Sequence, residues 1–330
     1  MQNRKQLNDI ELLNKAFSQF ANQPDKEALK VYLSNLSYFD LIKGYKKTIL
    51  KTGNNKFLDN LSIDILYHIH WLDSSLSNLL LKYSLETEKH LKSELSKIIC
   101  NYGESPKQYL RPTLYSNRNS SILSKLNKDI CNNPNSDIAE KFEKYKEKNG
   151  CLPAWYLIQH LSFGRIINWY SILKEAPKSQ ITQNFMDEPS RLNLKLEDKK
   201  ELFKSFLNYS LEVRNKAAHG NRILNIKIRE RISKNRITSA GLSDYFKLDA
   251  NGRIVLSNIV NFIAITILLT GIPIFSINAL NEFINFFAIN SHEETDVLSK
   301  INITIYELFD INHDDLDRLK SLVEYRFGMY

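Results

Sequence analysis

The chain has 330 residues, 43% of them hydrophobic and 11% aromatic, enough for a sizeable core and too apolar for a disordered chain. With only 10 glycines and 8 prolines, a turn-rich all-β architecture is disfavoured. Lysine plus arginine outnumber aspartate plus glutamate by 45 to 37, a net charge of +8 that permits a polyanionic partner without requiring one.

Read in chain order, residues 6–21 and 25–36 are short amphipathic helices separated at Pro24 and Asp25, residue types that suit a helix start. The segment Tyr38 to Tyr45 then turns at Gly44. Residues 62–101 carry Leu72, Leu76, Leu79, Leu80, Tyr83, Leu91 and Leu95 at three-to-four spacing and predict one long helix, open to a single break near Ser84. The polar stretch 103–121 reads as loop and 132–137 as a turn. Pro153 opens an aromatic helix from Ala154 to Leu173, and 176–197, with Pro177 and Pro189, reads as linker. A helix over about 198–219 places Leu202, Phe206, Tyr209, Val213 and Ala217 on one face. Two apolar helices, 254–270 and 276–290, pair around Gly271 and Pro273, and a last pattern fills 295–326.

The greasiest run, Phe262 to Ile277, is short for a membrane span and is interrupted by Thr270, Gly271 and Pro273, so it reads as buried core. The first residues lack the apolar stretch of a signal peptide. Cys100, Cys131 and Cys151 are odd in number and lack CxxC spacing, which disfavours disulfides and zinc and fits a cytoplasmic location. The expected fold is all-α, an up-and-down helical bundle in which residues 1–60 form an N-terminal extension to a helical domain over 61–330.

The densest chemistry lies in Val213-Arg214-Asn215-Lys216-Ala217-Ala218-His219-Gly220-Asn221-Arg222, at the end of a helical pattern. It offers a permanent cation, a polar orienter and the side chain that exchanges protons near neutral pH. Arg214 and His219 are about 140° apart around a regular helix, so they converge only if the helix ends near the histidine or a second copy supplies the other half. Gly220 suits such an ending. Those groups fit cleavage of RNA without a metal, because the nucleophile, the 2′-hydroxyl, is in the substrate. Histidine would move the protons, arginine would hold the phosphoryl oxygens, and Asn215 would hold the imidazole or a phosphate oxygen. From Arg222 onward, Arg222, Lys227, Arg229, Arg231, Lys234 and Arg236 form a basic run containing one acid, Glu230. With Ile226, Ile228 and Ile232 between the charges, it suits a strand or helix anchored on one side and touching phosphates with the other. Tyr115, Arg111 and Arg118 are further candidate RNA contacts.

Other clusters are weaker. His68 and His70 point about 160° apart on a helix, a poor arrangement for one metal. His160 reads as a packed histidine, and Glu86, Glu88 and Glu94 as a solvated helix face.

The string Arg-Asn-x-x-Ala-His resembles the Rx4–6H motif of HEPN domains, helical bundles that dimerise and often act as metal-independent ribonucleases. The longer string from Val213 to Ile223 resembles the Abi-like (AbiD/AbiF) family of bacterial abortive-infection proteins. Tyr32 through Tyr45, Glu88 with Leu91-Lys92-Ser93, and Leu152-Pro153-Ala154-Trp155 through Tyr170 are similar to other segments of that family. The likeness spans roughly residues 7–290. It implies an HEPN-like domain over 61–330, catalytic roles for Arg214 and His219 with Asn215 in support, and a homodimer that joins the helices carrying them. Gly220 stands where many relatives have a second histidine. HEPN domains also resemble the nuclease centres of type VI CRISPR effectors, and some family members work with a small structured noncoding RNA. The expected function is therefore an endoribonuclease of phage defence or a toxin–antitoxin system, without cofactor, metal or membrane. Alternatives are an RNA-binding protein that holds a noncoding RNA, or a helical partner of a nucleotidyltransferase.

Overall fold

A computed structural model describes residues 8–46, 56–116, 120–131, 137–186, 194–224, 226–292 and 297–328. Among them there is no β-strand, and the fold is all-α. In order come α1 (Asp9–Phe17), α2 (Lys26–Asn35), α3 (Ile63–Ile99), α4 (Pro106–Tyr109), α5 (Ser120–Cys131), α6 (Asp137–Asn149), α7 (Ala154–His160), α8 (Phe163–Ser171) and α9 (Glu175–Met186). They are followed by α10 (Leu196–Ala218), α11 (Lys234–Ser239), α12 (Ile259–Leu269), α13 (Pro273–Asn290), α14 (Ile305–Leu308) and α15 (His313–Phe327). A π-helical turn covers Phe39–Lys43.

The axis of the molecule is α3, 37 residues long, started by Ser62, whose hydroxyl accepts from Ile65 N at 3.2 Å. It has no break at Ser84. The Ser84 and Thr87 hydroxyls donate to the carbonyls of Leu80 (2.8 Å) and Tyr83 (3.2 Å), so these buried polar groups are satisfied within the helix itself. Around α3 pack α7, α8, α10, α12 and α13. The predicted face of α10 is the buried one: Leu202, Phe206, Tyr209, Val213 and Ala217 all lie inside.

Several boundaries differ from those the sequence predicts. The single helix over 154–173 is two, because the backbone is extended at Leu161 and Ser162 and α8 starts afresh at Phe163. Residues 175–186 form α9 rather than linker; Pro177 falls in its first turn, where a missing amide costs nothing. Within 103–121, Pro106 starts the short α4, and Pro112 opens a 3₁₀ turn to Leu114. The helix expected from 254 begins only at Ile259. The loop before it is held by Asn261, which accepts from Lys247 N (2.7 Å) and donates to the carbonyls of Lys247 (3.0 Å) and Val255 (2.9 Å). Pro273 starts α13 three residues earlier than expected, and the last pattern splits into a 3₁₀ turn (Val297–Ile301), α14 and α15. The predicted turn at 132–137 lies almost wholly outside the described residues.

Every residue of α12 is buried, and the greasy run from Phe262 is divided between α12 and α13. Among the described residues no helix is long and apolar enough to cross a membrane. Arg326 is the most deeply buried cation among the described residues. Arg326, fully buried on α15, donates through Nη2 to the carbonyls of Phe185 (2.6 Å) and Thr270 (2.8 Å), tying the ends of α9 and α12 together. Arg326→Met would leave both carbonyls without that donor, and a loss of about 2–4 kcal/mol is expected in denaturant unfolding.

Candidate functional site

Two helices position the site. On α3, Glu88 lies beside Arg214 near the end of α10, while the earlier Asp73 lies beside Ile223, five residues past that end, so α3 and α10 run antiparallel. The site occupies the C-terminal end of α10.

That end is built as the glycine suggests. Ala218 is the last helical residue, and His219 caps the helix. Gly220 adopts φ +65°, and Asn221 N reaches back to the Lys216 carbonyl at 2.9 Å. This left-handed closure satisfies carbonyls that the helix end would otherwise leave open. His219 is exposed, as the last turn leaves the core.

Arg214 is half-buried. Its Nη1 donates to Asn215 Oδ1 at 3.1 Å, and its Nε stands 3.7 Å from Glu88 Oε2. That second distance is an ion pair too long for a hydrogen bond, and both atoms are buried without a hydrogen-bond partner. The other Glu88 oxygen takes Lys92 Nζ at 2.8 Å, and Lys92 also donates to the Gln159 carbonyl at 3.1 Å. Asn215 therefore orients the guanidinium rather than the imidazole. Among the described residues no hydrogen bond or ion pair joins Arg214 to His219 within one chain.

Beyond Gly220 the chain is anchored by Asp73. Its Oδ1 accepts from Ile223 N (2.9 Å) and Leu224 N (2.8 Å), and its Oδ2 accepts from Tyr45 Oη (2.8 Å). Since the one Tyr45 proton goes to Asp73, His70 Nδ1, 3.1 Å from the same hydroxyl, must be the donor there. Burial pushes the Asp73 carboxyl up, while the Leu224 amide and Tyr45 hydroxyl draw it back. Burial holds His70 below its ordinary value, against the pull of Asp73.

The six predicted RNA-binding cations separate into two groups. Arg222 lies over the rings of Phe39 (5.5 Å) and Tyr45 (5.7 Å), and Nη1 contacts the Phe39 carbonyl at 3.4 Å. Gly44 is helical rather than a turn. Its role is clearance, since a Cβ there would fall inside the Arg222 guanidinium. Arg236 pairs with Asp198 at 3.2 Å, and Lys234 reaches over Gly252. Lys227, Arg229 and Arg231 are exposed, while Ile226, Ile228 and Ile232 between them turn inward. This segment has neither helix nor ladder, yet its burial alternates, and Glu212 of α10 fixes it by accepting from Arg229 N (2.8 Å) and Glu230 N (3.1 Å).

Some expectations fail here. Tyr115 is buried, donating to the Tyr109 carbonyl (2.6 Å) and accepting from Trp169 Nε1 (3.0 Å), so it is no RNA contact. Arg111 is exposed, and Arg118 lies outside the described residues. Glu88 and Glu94 are buried rather than solvated. Sequence spacing could have shown this for Glu88: it precedes Leu91 and Leu95 by three and seven residues, as Asp73 precedes Leu76 and Leu80, which puts both acids on the apolar stripe. His160 is packed, with Nδ1 2.9 Å from the Tyr156 carbonyl. No group of three or more candidate metal ligands is assembled among the described residues.

A family model described as Abi-like protein matches residues 31–225, more than half of the chain and inclusive of the whole Arg214–His219 string. The chain belongs to the Abi-like family. Membership implies a part in abortive infection, a form of phage defence. No curated protein and no solved structure matches this Abi-like chain.

Two of its partly buried histidines give a pH dependence. His70 and His90, the latter stacked on Phe185 at 4.0 Å, are both held below the ordinary 6.5 by burial. The unfolded chain then binds more protons, so stability present above that value is lost as pH falls through it. The thermal midpoint should drop between about pH 7 and about pH 5, and His70→Asn, which keeps a donor near Nδ1, should flatten the curve.

Proposed function

We propose that this Abi-like protein is an endoribonuclease that cleaves RNA by internal transfer. In this reading the 2′-hydroxyl attacks the adjacent phosphorus as His219 Nε2 or Nδ1 accepts its proton. The P–O5′ bond breaks, the leaving oxygen takes a proton from a second histidine, and the products are a 2′,3′-cyclic phosphate and a 5′-hydroxyl. Arg214, oriented by Asn215, steadies charge on the non-bridging oxygens. A homodimer that brings two α10 ends together would supply the second histidine and both guanidiniums.

The observation that carries this reading is the helix end itself. The left-handed Gly220 leaves His219 exposed, and the Arg214 side chain stays 29% exposed although its Nε is buried against Glu88. A partly exposed guanidinium gains charge-assisted hydrogen bonds when a phosphoryl oxygen arrives.

The test is incubation of purified protein with labelled RNA in the presence of chelator. Arg214→Ala and His219→Ala should each slow cleavage by about 10²- to 10⁴-fold, and cyclic-phosphate ends should be found on the products. Cleavage that survives both substitutions would rule the reading out.

A second reading is favoured by one contact. Glu88 already faces the guanidinium that phosphate would need, which suits a protein whose main task is to hold a structured noncoding RNA on its cation row, with cleavage conditional. For either reading, removing Lys227, Arg229 or Arg231 should weaken RNA binding across sequences. Each removal should reduce the salt slope of the binding constant by about 0.7–0.9.

A further inference from the structure

A pocket opens just past His219, between the end of α10 and the N-terminal half of α3. The residues two before and one after the histidine, Ala217 and Gly220, form its edge. Its floor is Asp73, whose two oxygens are occupied by two amides and the Tyr45 hydroxyl, so this acid shapes the pocket without being free to bind. Its walls are different in kind. One is the Arg222 guanidinium, backed by Tyr45 and Phe39 and admitted by the missing Cβ of Gly44. The other is a strip of α3 on which Ser74 and Asn78, one turn apart and exposed, face the cavity with no hydrogen bond among the described residues.

We propose that this pocket receives one unstacked nucleobase of an RNA strand, laid against the Arg222 guanidinium and read at its edge by Asn78, with Ser74 beside it. Planar cations backed by aromatic rings accept bases face-on, and a free carboxamide presents a donor and an acceptor together, the pattern that base edges complement. A phosphate alone would suit the pocket poorly, because Asp73 lies at its base. The placement beside His219 makes the base a neighbour of the scissile linkage, and in this the inference rests on the ribonuclease reading.

The experiment separates the two. Uncleavable, fully 2′-O-methylated homo-oligomers of A, C and U are titrated against nucleic-acid-free protein, with fluorescence anisotropy as the readout. One oligomer should bind about tenfold tighter than the others; in Asn78→Ala that preference should shrink to about twofold, while the weaker oligomers are bound as before. Ser74→Ala, also on the exposed strip, should lower the preference without abolishing it. The matching nucleoside 5′-monophosphate should compete only at far higher concentration. Equal competition would mean a pocket for free nucleotides and would overturn the assignment to a strand. Equal binding of all oligomers, no binding, or a preference untouched by Asn78→Ala would also overturn it. An active ribonuclease without base preference would refute the pocket alone. A base-selective protein that cleaves nothing would refute the ribonuclease reading alone.

Discussion

The antiparallel contact of α3 with α10 is what the rest of the molecule depends on. It is pinned at two points by acids on α3: Glu88 faces Arg214, and Asp73 gathers the amides that follow the end of α10. The two helices pack against each other, and each buries an apolar stripe, Leu76 and Leu80 on α3 and Val213 and Ala217 on α10. Such burial stabilises by about 25 cal/mol per Å² of apolar area removed from water. The acids supply position. A carboxylate that accepts three hydrogen bonds in a buried setting stops α10 at a defined place and sends the chain off in a defined direction.

The Glu88–Arg214 pair is of a different nature. Opposite charges 3.7 Å apart attract by about 4 kcal/mol at an effective dielectric near 20, but desolvation of both groups offsets much of this. The buried Nε and Oε2 also lack a hydrogen bond, so the pair lies in a shallow minimum. In the proposed ribonuclease reading a phosphodiester, with the same single charge as the carboxylate, would approach Arg214 from its partly exposed side. The contact is a single long ion pair and lacks the two parallel hydrogen bonds of a bidentate salt bridge.

Much of this was legible in the sequence, and for stated reasons. The five apolar residues on one face of α10 and the glycine after the histidine are local patterns, and local patterns survive folding. The breaks were harder. Leu161 and Ser162 interrupt a run whose apolar spacing continues across them, so periodicity alone reads a single helix. Pro177 reads as a breaker unless it is known to sit in a first turn. The pocket was invisible for another reason: Tyr45, His70, Asp73 and Arg222 are brought together from three distant segments, and His70 looked like an unremarkable member of an amphipathic helix. Arg222 read as a surface cation because nothing in its neighbourhood announces Phe39, 183 residues earlier.

One oxygen of Glu212 fastens two consecutive amides of the basic segment to α10. The row of cations consequently cannot slide along the helix that bears Arg214 and His219. A strand lying on that row would be presented to the helix end at a constant offset, as paper is held by a margin stop, whatever its sequence.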